Sequence, residues 1–267
     1  MPELPEVESV RRKLDPELAG HIAVDVWFDP HPAITRQFVD VELLAGRKIH
    51  SVGRRGKFLI APLDEGLELI MHLGMTGRMG FDLDNPYVRA RVHLDDERVL
   101  SFQDVRRFGR MVVVEAGIYT AIPTLAMLGP EPLSDEFDPD VFAWELARTR
   151  APVKPFLLSQ RPVAGVGNIY ADEALWLARI HPASRRVGRR RAHELHHAVR
   201  EVLEAAIERE GTTFRDFRTL GGEPGRNASY LVAYGRGGEP CPRCSTPLKK
   251  AVLGGRSTTY CPRCQRP

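Results

Sequence analysis

Nowhere in the 267 residues do 18 or more apolar side chains run together, so no stretch is long enough to span a bilayer as a helix. The N-terminus is charged and lacks the apolar core of a secretory signal, which points to the cytoplasm. The first 240 residues hold no cysteine. All four lie in the last 27, a placement that excludes a disulfide framework and reads as a metal site. There is no internal repeat beyond a duplicated Cys-Pro-Arg-Cys. Net charge is only +3 but unevenly spread: residues 1–134 carry 16 Lys/Arg against 20 Asp/Glu (−4), and residues 135–267 carry 22 against 15 (+7). A basic second half suits a polyanionic partner. Apolar residues make up 43% of the chain, enough for a core in one large domain or two.

The most informative stretch is the first eight residues, Met1-Pro2-Glu3-Leu4-Pro5-Glu6-Val7-Glu8. Removal of Met1 ahead of a residue as compact as proline is the expected processing, and it leaves Pro2 as a terminal secondary amine beside Glu3. An α-amino group titrates near pH 8, so a useful fraction is nucleophilic at neutral pH. Such an amine can form a Schiff base while an adjacent carboxyl moves protons. An ordinary capped helix competes with this reading. Pro5 suits a first turn, Glu6 and Glu8 suit the positive end, and Arg11-Arg12-Lys13 suit the negative end. Val7, Val10 and Leu14 then share one face. The helix accounts for Pro5, Glu6 and Glu8, but not for Pro2 and Glu3 ahead of it.

Residues 20–115 read mostly as strands, with runs at 58–60, 67–71, 90–94 and 110–114 between turn-rich pieces, which suggests a β-sandwich. The pattern changes at Leu128-Gly129-Pro130-Glu131-Pro132. Helical periodicity follows: Asp140–Arg148, a helix from Pro155, a helix over residues 169–178 capped by Asn168, and a long helix over about 192–210. Gly211, Gly221, Gly222 and Gly225 mark a stretch expected to be mobile. The expected division is 1–130, 131–230 and 231–267.

Cys241-Pro242-Arg243-Cys244 and Cys261-Pro262-Arg263-Cys264, sixteen residues apart, can bring four thiolates to the corners zinc prefers, in a closed structural site. Residues 247–260 read as two strands turning at Gly254-Gly255, so this piece is an expected zinc ribbon with Arg256 just past its tip. Gly165-Val166-Gly167-Asn168 precedes a helix, where backbone N–H groups make an anion site. Lys154 lies ahead of it, and Arg185-Arg186 with Arg189-Arg190-Arg191 form the densest basic run. In the β-rich half, Gly53-Arg54-Arg55-Gly56-Lys57, His72-Leu73-Gly74-Met75-Thr76-Gly77 and Asp104-Val105-Arg106-Arg107-Phe108-Gly109 are glycine-flanked loops at strand ends, where function gathers.

Taken in order, these pieces resemble the formamidopyrimidine-DNA glycosylase branch of the family it shares with endonuclease VIII. The resemblance rests on Met1–Glu6, Arg55-Gly56-Lys57, His72–Met75, Arg106–Gly109, Ala164–Ala174 and the cysteine module with Gly255-Arg256, and it spans nearly the whole chain. Leu4-Pro5 after Glu3 favours this branch. The resemblance implies an α+β multidomain fold: an N-terminal β-sandwich, a helix–two-turn–helix domain and a C-terminal zinc ribbon holding one structural Zn2+. It implies a monomeric glycosylase and AP lyase that flips oxidised purines from damaged double-stranded DNA.

Pro2 would be its nucleophile, Glu3 its proton carrier, and Lys57 and Arg256 would stand near the reaction. Lys154, Asn168, His72, Tyr170 and Arg256 would contact DNA, while Met75, Arg106 and Phe108 fill the gap left by the flipped base. Cys241, Cys244, Cys261 and Cys264 would hold the metal. Val105 stands where the family has proline, Gln103 where histidine is frequent, and Gly221–Asn227 lacks the usual aspartate and aromatic. Two other readings are an endonuclease VIII-like enzyme for oxidised pyrimidines and a zinc-ribbon DNA-binding protein without catalysis. Leu4-Pro5 argues against the first, and Pro2, Glu3 and Lys57 against the second.

Overall fold

The computed structural model describes residues 1–31 and 37–266 and divides into two compact units. One comprises Met1–Ala126 with Arg209–Ala228, the other Met127–Glu208 with Ser229–Pro267. The stretch expected as 131–230 is therefore split, residues 209–228 joining the first unit.

In that unit the chain opens with helix α1 (Leu4–Leu18), which has Glu3 at its N-cap and Pro5 in the first turn. Val7, Val10, Leu14 and Leu18 recur at helical spacing and are all buried, so the stripe read from the sequence is the face that meets the sheets. Arg11-Arg12-Lys13 do not end the helix, which runs on to Leu18. Arg11 and Arg12 turn back to Glu8 instead, each at 2.9 Å.

Among the described residues ten strands follow: β1 (Ile22–Phe28), β2 (Phe38–Val39), β3 (Arg47–Lys48), β4 (Gly53–Arg55), β5 (Phe58–Pro62), β6 (Leu67–His72), β7 (Gly77–Phe81), β8 (Val88–Leu94), β9 (Val99–Asp104) and β10 (Arg110–Glu115). They form two five-stranded sheets, β3-β1-β8-β9-β7 and β2-β10-β6-β5-β4. Leu59, Leu69, Met71 and Val113 of one sheet and Ala90, Val92, Leu100 and Phe102 of the other share a core with the α1 stripe. The four apolar runs seen in the sequence are β5, β6, β8 and β10. The pattern hid β7 because two of its five residues are glycine, and β1 because Val24 and Trp27 face solvent. A short helix, α2 (Pro123–Ala126), ends this part of the chain.

The returning segment 209–228 places Phe217 in the same core. Gly211 has φ +83°, and a Cβ there would stand 2.8 Å from Glu6 Cγ. A Cβ at Gly225 would stand 2.4 Å from the Gly211 carbonyl oxygen. These glycines, expected to confer mobility, are required by close approach.

In the second unit, Asp138 caps helix α3 (Pro139–Arg148) by accepting from the N–H groups of Asp140 and Val141, both at 2.8 Å. Helices α4 (Val153–Leu158), α5 (Asn168–Leu177) and α6 (Arg189–Glu208) follow. Leu195, Val199 and Ala206 of α6 meet Ala171, Ala174 and Leu175 of α5 in one core. The cap of α5 is Gly167, with Asn168 the first helical residue. The unit closes with a hairpin of β11 (Lys249–Leu253) and β12 (Arg256–Tyr260). Leu253 pairs with Arg256 across Gly254 and Gly255, whose positive φ values of 56° and 72° suit a two-residue primed turn. Among the described residues, no helix is long and apolar enough to cross a membrane.

Candidate active site and nucleic-acid interface

The start of α1 is held by a buried carboxylate. Glu6 Oε2 accepts the Glu3 N–H at 2.7 Å, and Glu6 Oε1 accepts the Thr212 N–H at 2.6 Å. Two backbone donors that burial would otherwise leave unsatisfied are thus met by one side chain. Pro2 and Glu3 are themselves buried, Glu3 to 2% exposure. One turn on, Glu8 gathers Arg11, Arg12 and Arg54, the last at 3.0 Å. Burial alone would raise its pKa, but the guanidiniums of Arg11, Arg54 and Arg12 overcome this and hold it below the usual range. The Glu8–Arg54 pair ties strand β4 to α1, and the two-residue turn after β4 carries Lys57, which is buried. Across the β5–β6 pairing stands His72. Burial, then the charges of Lys57 and Arg110, push the His72 pKa down to about 4, so the ring is neutral. Its Nδ1 accepts the Gly74 N–H at 3.1 Å, which assigns the ring proton to Nε2. Pro2, Glu3, Lys57 and His72 all belong to the first unit.

Asp104 organises the two loops at the sandwich rim. Its Oδ1 accepts from Thr76 Oγ1 at 2.5 Å and from the Arg106 N–H at 3.2 Å, and its Oδ2 accepts the Gly109 N–H at 2.6 Å. The loops touch backbone to backbone: a Cβ on Gly74 would lie 2.5 Å from Gly109 N. Met75, half-buried, therefore sits on one loop and Arg106 and Phe108 on its neighbour. Phe108 is 52% exposed, with the Arg106 guanidinium 4.9 Å from its ring centroid. An exposed aromatic carrying a cation suits intrusion into a base stack.

In the second unit, Gln160 shapes the approach to α5. Its Oε1 accepts the Gly165 N–H at 2.9 Å and its Nε2 donates to the Val166 carbonyl at 2.5 Å. The N-terminus of α5 follows directly, with Asn168 Nδ2 reaching Ser257 Oγ at 3.3 Å. Arg256 is exposed at the start of β12.

Two expected DNA contacts lie elsewhere. Tyr170 is 1% exposed and belongs to the helical core, because the second position after Asn168 turns inward. Lys154 has no exposed surface. Its Nζ donates to Asp172 Oδ1 at 2.7 Å, the Ser257 carbonyl at 2.8 Å and Thr258 Oγ1 at 3.0 Å. An ammonium so enclosed cannot reach a solvent-side phosphate from this position.

The four Sγ atoms of Cys241, Cys244, Cys261 and Cys264 lie within 4.8 Å of one another, Cys244 and Cys261 at 3.5 Å. Tetrahedral zinc with Zn–S near 2.3 Å needs S···S separations of about 3.8 Å, so the cluster fits. Beneath it Trp176, Ala233 and Leu248 form a small core. Arg243 stacks on Trp176 with its guanidinium 3.7 Å from the ring centroid, and donates to the Trp176 and Leu177 carbonyls at the end of α5.

Gln160 and Asp172 were given no role in the sequence, Glu6 only that of an acidic helix start, and Asp104 only a place in its loop. Glu6 carried a signal, since an acidic residue three positions after an N-cap is a capping-box pattern. Asp104, two residues before Arg106, resembles an Asx turn. Asp172 carried no local signal.

A β-sandwich holding buried Pro2 and Glu3, a helical unit and a four-cysteine ribbon stand in the order expected of a DNA glycosylase of base excision repair. The comparisons give the family. Models of the formamidopyrimidine-DNA glycosylase N-terminal domain, its H2TH domain, and the zinc finger found in FPG and IleRS match residues 1–111, 128–218 and 238–267. The formamidopyrimidine-DNA glycosylase of Deinococcus radiodurans is 46% identical, over 99% of this chain and 97% of its own length. The crystal structure of the MutM (FPG) protein from Thermus thermophilus superposes with TM-score 0.92 at 45% identity, covering 99% and 98% of the two chains. The wild-type Lactococcus lactis Fpg, solved with N7-benzyl-Fapy-dG DNA, gives 0.90 at 33% identity over the full length of both. The chain belongs to the formamidopyrimidine-DNA glycosylase family, and its ribbon is that family's zinc module.

Proposed function

We propose that this chain excises oxidised purines, 8-oxoguanine and formamidopyrimidines, from duplex DNA through an iminium on Pro2, and then cuts the strand. The observation that carries the reading is the buried Pro2-Glu3 end held by Glu6. Once Met1 is removed, the Pro2 amine attacks C1′ of the flipped nucleotide. The glycosidic electron pair leaves with the base, and Glu3 exchanges protons with the ribose. Loss of the amine proton and ring opening give the iminium, whose electron demand acidifies C2′–H. β- and then δ-elimination release the two phosphates, and water frees Pro2. The Lys57 ammonium, set in a buried turn beside neutral His72, supplies positive charge where phosphate oxygens lie.

Asn168 and Arg256 bind backbone phosphates, Met75 and Phe108 fill the vacated stack, and Arg106 faces the orphaned base. A guanidinium carries only donors and cytosine offers two adjacent acceptors, so excision is faster opposite cytosine than opposite adenine, by about 1–3 kcal/mol for one bidentate contact. Cys241, Cys244, Cys261 and Cys264 hold a zinc ion that fixes the ribbon and takes no part in the chemistry. We place the three functional modules at 1–130, 131–230 and 231–267, the second closing through a segment packed on the first unit, in a monomer acting in the cytoplasm on nucleoid DNA. Borohydride trapping on lesion DNA tests the nucleophile. Chain with Pro2 free is expected to cross-link, and chain retaining Met1 is expected to bind without cross-linking. Equal trapping of both would move the nucleophile to a lysine, Lys57 first.

A further inference from the structure

We propose that Asp172 is a positioning residue. Through its buried pair with Lys154 it sets the register of β12 against α5, so that Arg256 and Asn168 bind the DNA backbone as one coupled unit. This rests on the phosphate role given to those two residues above.

Asp172 lies four positions after Asn168, on the same face of α5. Its Oδ1 accepts from Lys154 and its Oδ2 accepts the Thr259 N–H at 2.9 Å. Lys154 in turn holds the Ser257 carbonyl and Thr258 Oγ1. Three successive residues of β12 are thus gripped from one carboxylate–ammonium pair, and Arg256 is the next residue along. The hairpin tip rests on α4, where a Cβ on Gly254 would make ordinary contact with Pro155 Cγ at 3.4 Å.

Stability does not require this arrangement. A fully buried ion pair loses solvation that its own attraction barely recovers, and an apolar pair of similar volume often serves as well or better. What hydrogen-bonded charges add is direction. A two-stranded hairpin is marginal by itself, and among the described residues β12 pairs with β11 along one edge only. On its other edge Asp172 and Lys154 take the place of a neighbouring strand. A slip of one residue there would exchange the faces of Arg256 and Ser257. It would part Ser257 from Asn168 and move the Arg256 guanidinium to the opposite face of the hairpin. Burial pushes the Asp172 carboxyl up to about 6, against Lys154 and the Thr259 N–H, so it remains ionised at neutral pH and the grip is in place.

The test is a mutant cycle in the full, zinc-loaded chain: Lys154→Met with Asp172→Leu, Arg256→Ala, and all three together. Binding to a duplex carrying a tetrahydrofuran abasic-site analogue is measured across salt concentrations, with zinc content as the folding check. The apolar pair is expected to keep one zinc, to weaken binding about tenfold, the worth of one charge-assisted hydrogen bond, and to lower the salt slope by roughly one unit. Arg256→Ala should do the same. The triple variant should then match Arg256→Ala within about twofold, since the two changes remove one contact. Multiplying losses in the triple variant, or parental binding by the apolar pair, would overturn the inference. Parental binding and slope for Arg256→Ala would overturn the phosphate role itself, and this inference with it. If the apolar pair loses zinc, Asp172→Asn with Arg256→Ala closes the same cycle.

Discussion

The β-sandwich and the zinc ribbon solve the same problem with different resources. The sandwich buries more than twenty apolar side chains, Leu14, Leu59 and Phe102 among them. With that core in place its buried polar groups are free to aim loops: Glu6 fixes the N-terminus and Asp104 the rim. Beneath the ribbon the apolar cluster is Trp176, Ala233 and Leu248 with Cys241 and Cys261, too little to order a hairpin. There the metal supplies the folding energy, and a buried ion pair supplies the register. Where the apolar core is large, polar groups refine a structure that already exists. Where it is small, they and the metal constitute it.

Removing the metal should separate the two most sharply. Chelation, or Cys244→Ser, forfeits binding energy of roughly 10 kcal/mol or more for a structural zinc site. Zinc stoichiometry and DNA affinity should both be lost while the sandwich keeps its cooperative unfolding transition. Simultaneous collapse of both units would erase the contrast. In the sandwich, Leu14→Ala should cost about 2–5 kcal/mol in denaturant unfolding and leave zinc content unchanged.

Acid should act on the units with opposite sign. His72 in the first unit has its folded pKa lowered to about 4 from 6.5. Its share of stability is therefore complete above pH 6.5 and lost as pH falls toward 4, by up to about 3 kcal/mol. Asp172 in the second unit is raised to about 6 from 3.8, so its burial cost is relieved as pH falls through the same range. His72→Gln should flatten the acid loss of the sandwich transition. An unchanged pH profile would show that the ring titrates normally. The smallest effect belongs to Glu6→Gln. The amide has one acceptor oxygen for the two N–H groups of Glu3 and Thr212, leaving one donor unmet at about 1–3 kcal/mol. Borohydride trapping should fall further than affinity, because the attacking end loses its anchor before the phosphate contacts do.

Much of this was legible along the chain. The α1 stripe, the four strand runs, the α5 start and the Gly254-Gly255 turn all depend on residues within a few positions of one another. The C-terminal limit of α1 was displaced because tertiary burial of Leu18 outweighs the charge pattern that suggested an earlier end, while α6 takes in the exposed Arg189-Arg190 ahead of its first buried residue, Ala192. Lys154 was misread for a related reason. Flanked by prolines before an anion site it looked like a phosphate ligand, but its partners are 18 and more than 100 residues away.

The sequence by itself determined the elements and the chemical inventory: a terminal proline beside a glutamate, a glycine-bounded helix start, and two cysteine knuckles at zinc spacing. Helical period, turn chemistry and ligand geometry are short-range, so they can be read where they are written. Only the tertiary structure decided which charges work from inside. Glu6 meets Thr212 across 206 positions, and Asp172 meets Thr259 across 87. Whether a carboxylate is a solvated face or a buried clamp is a matter of desolvation, and that is set by what folds over it.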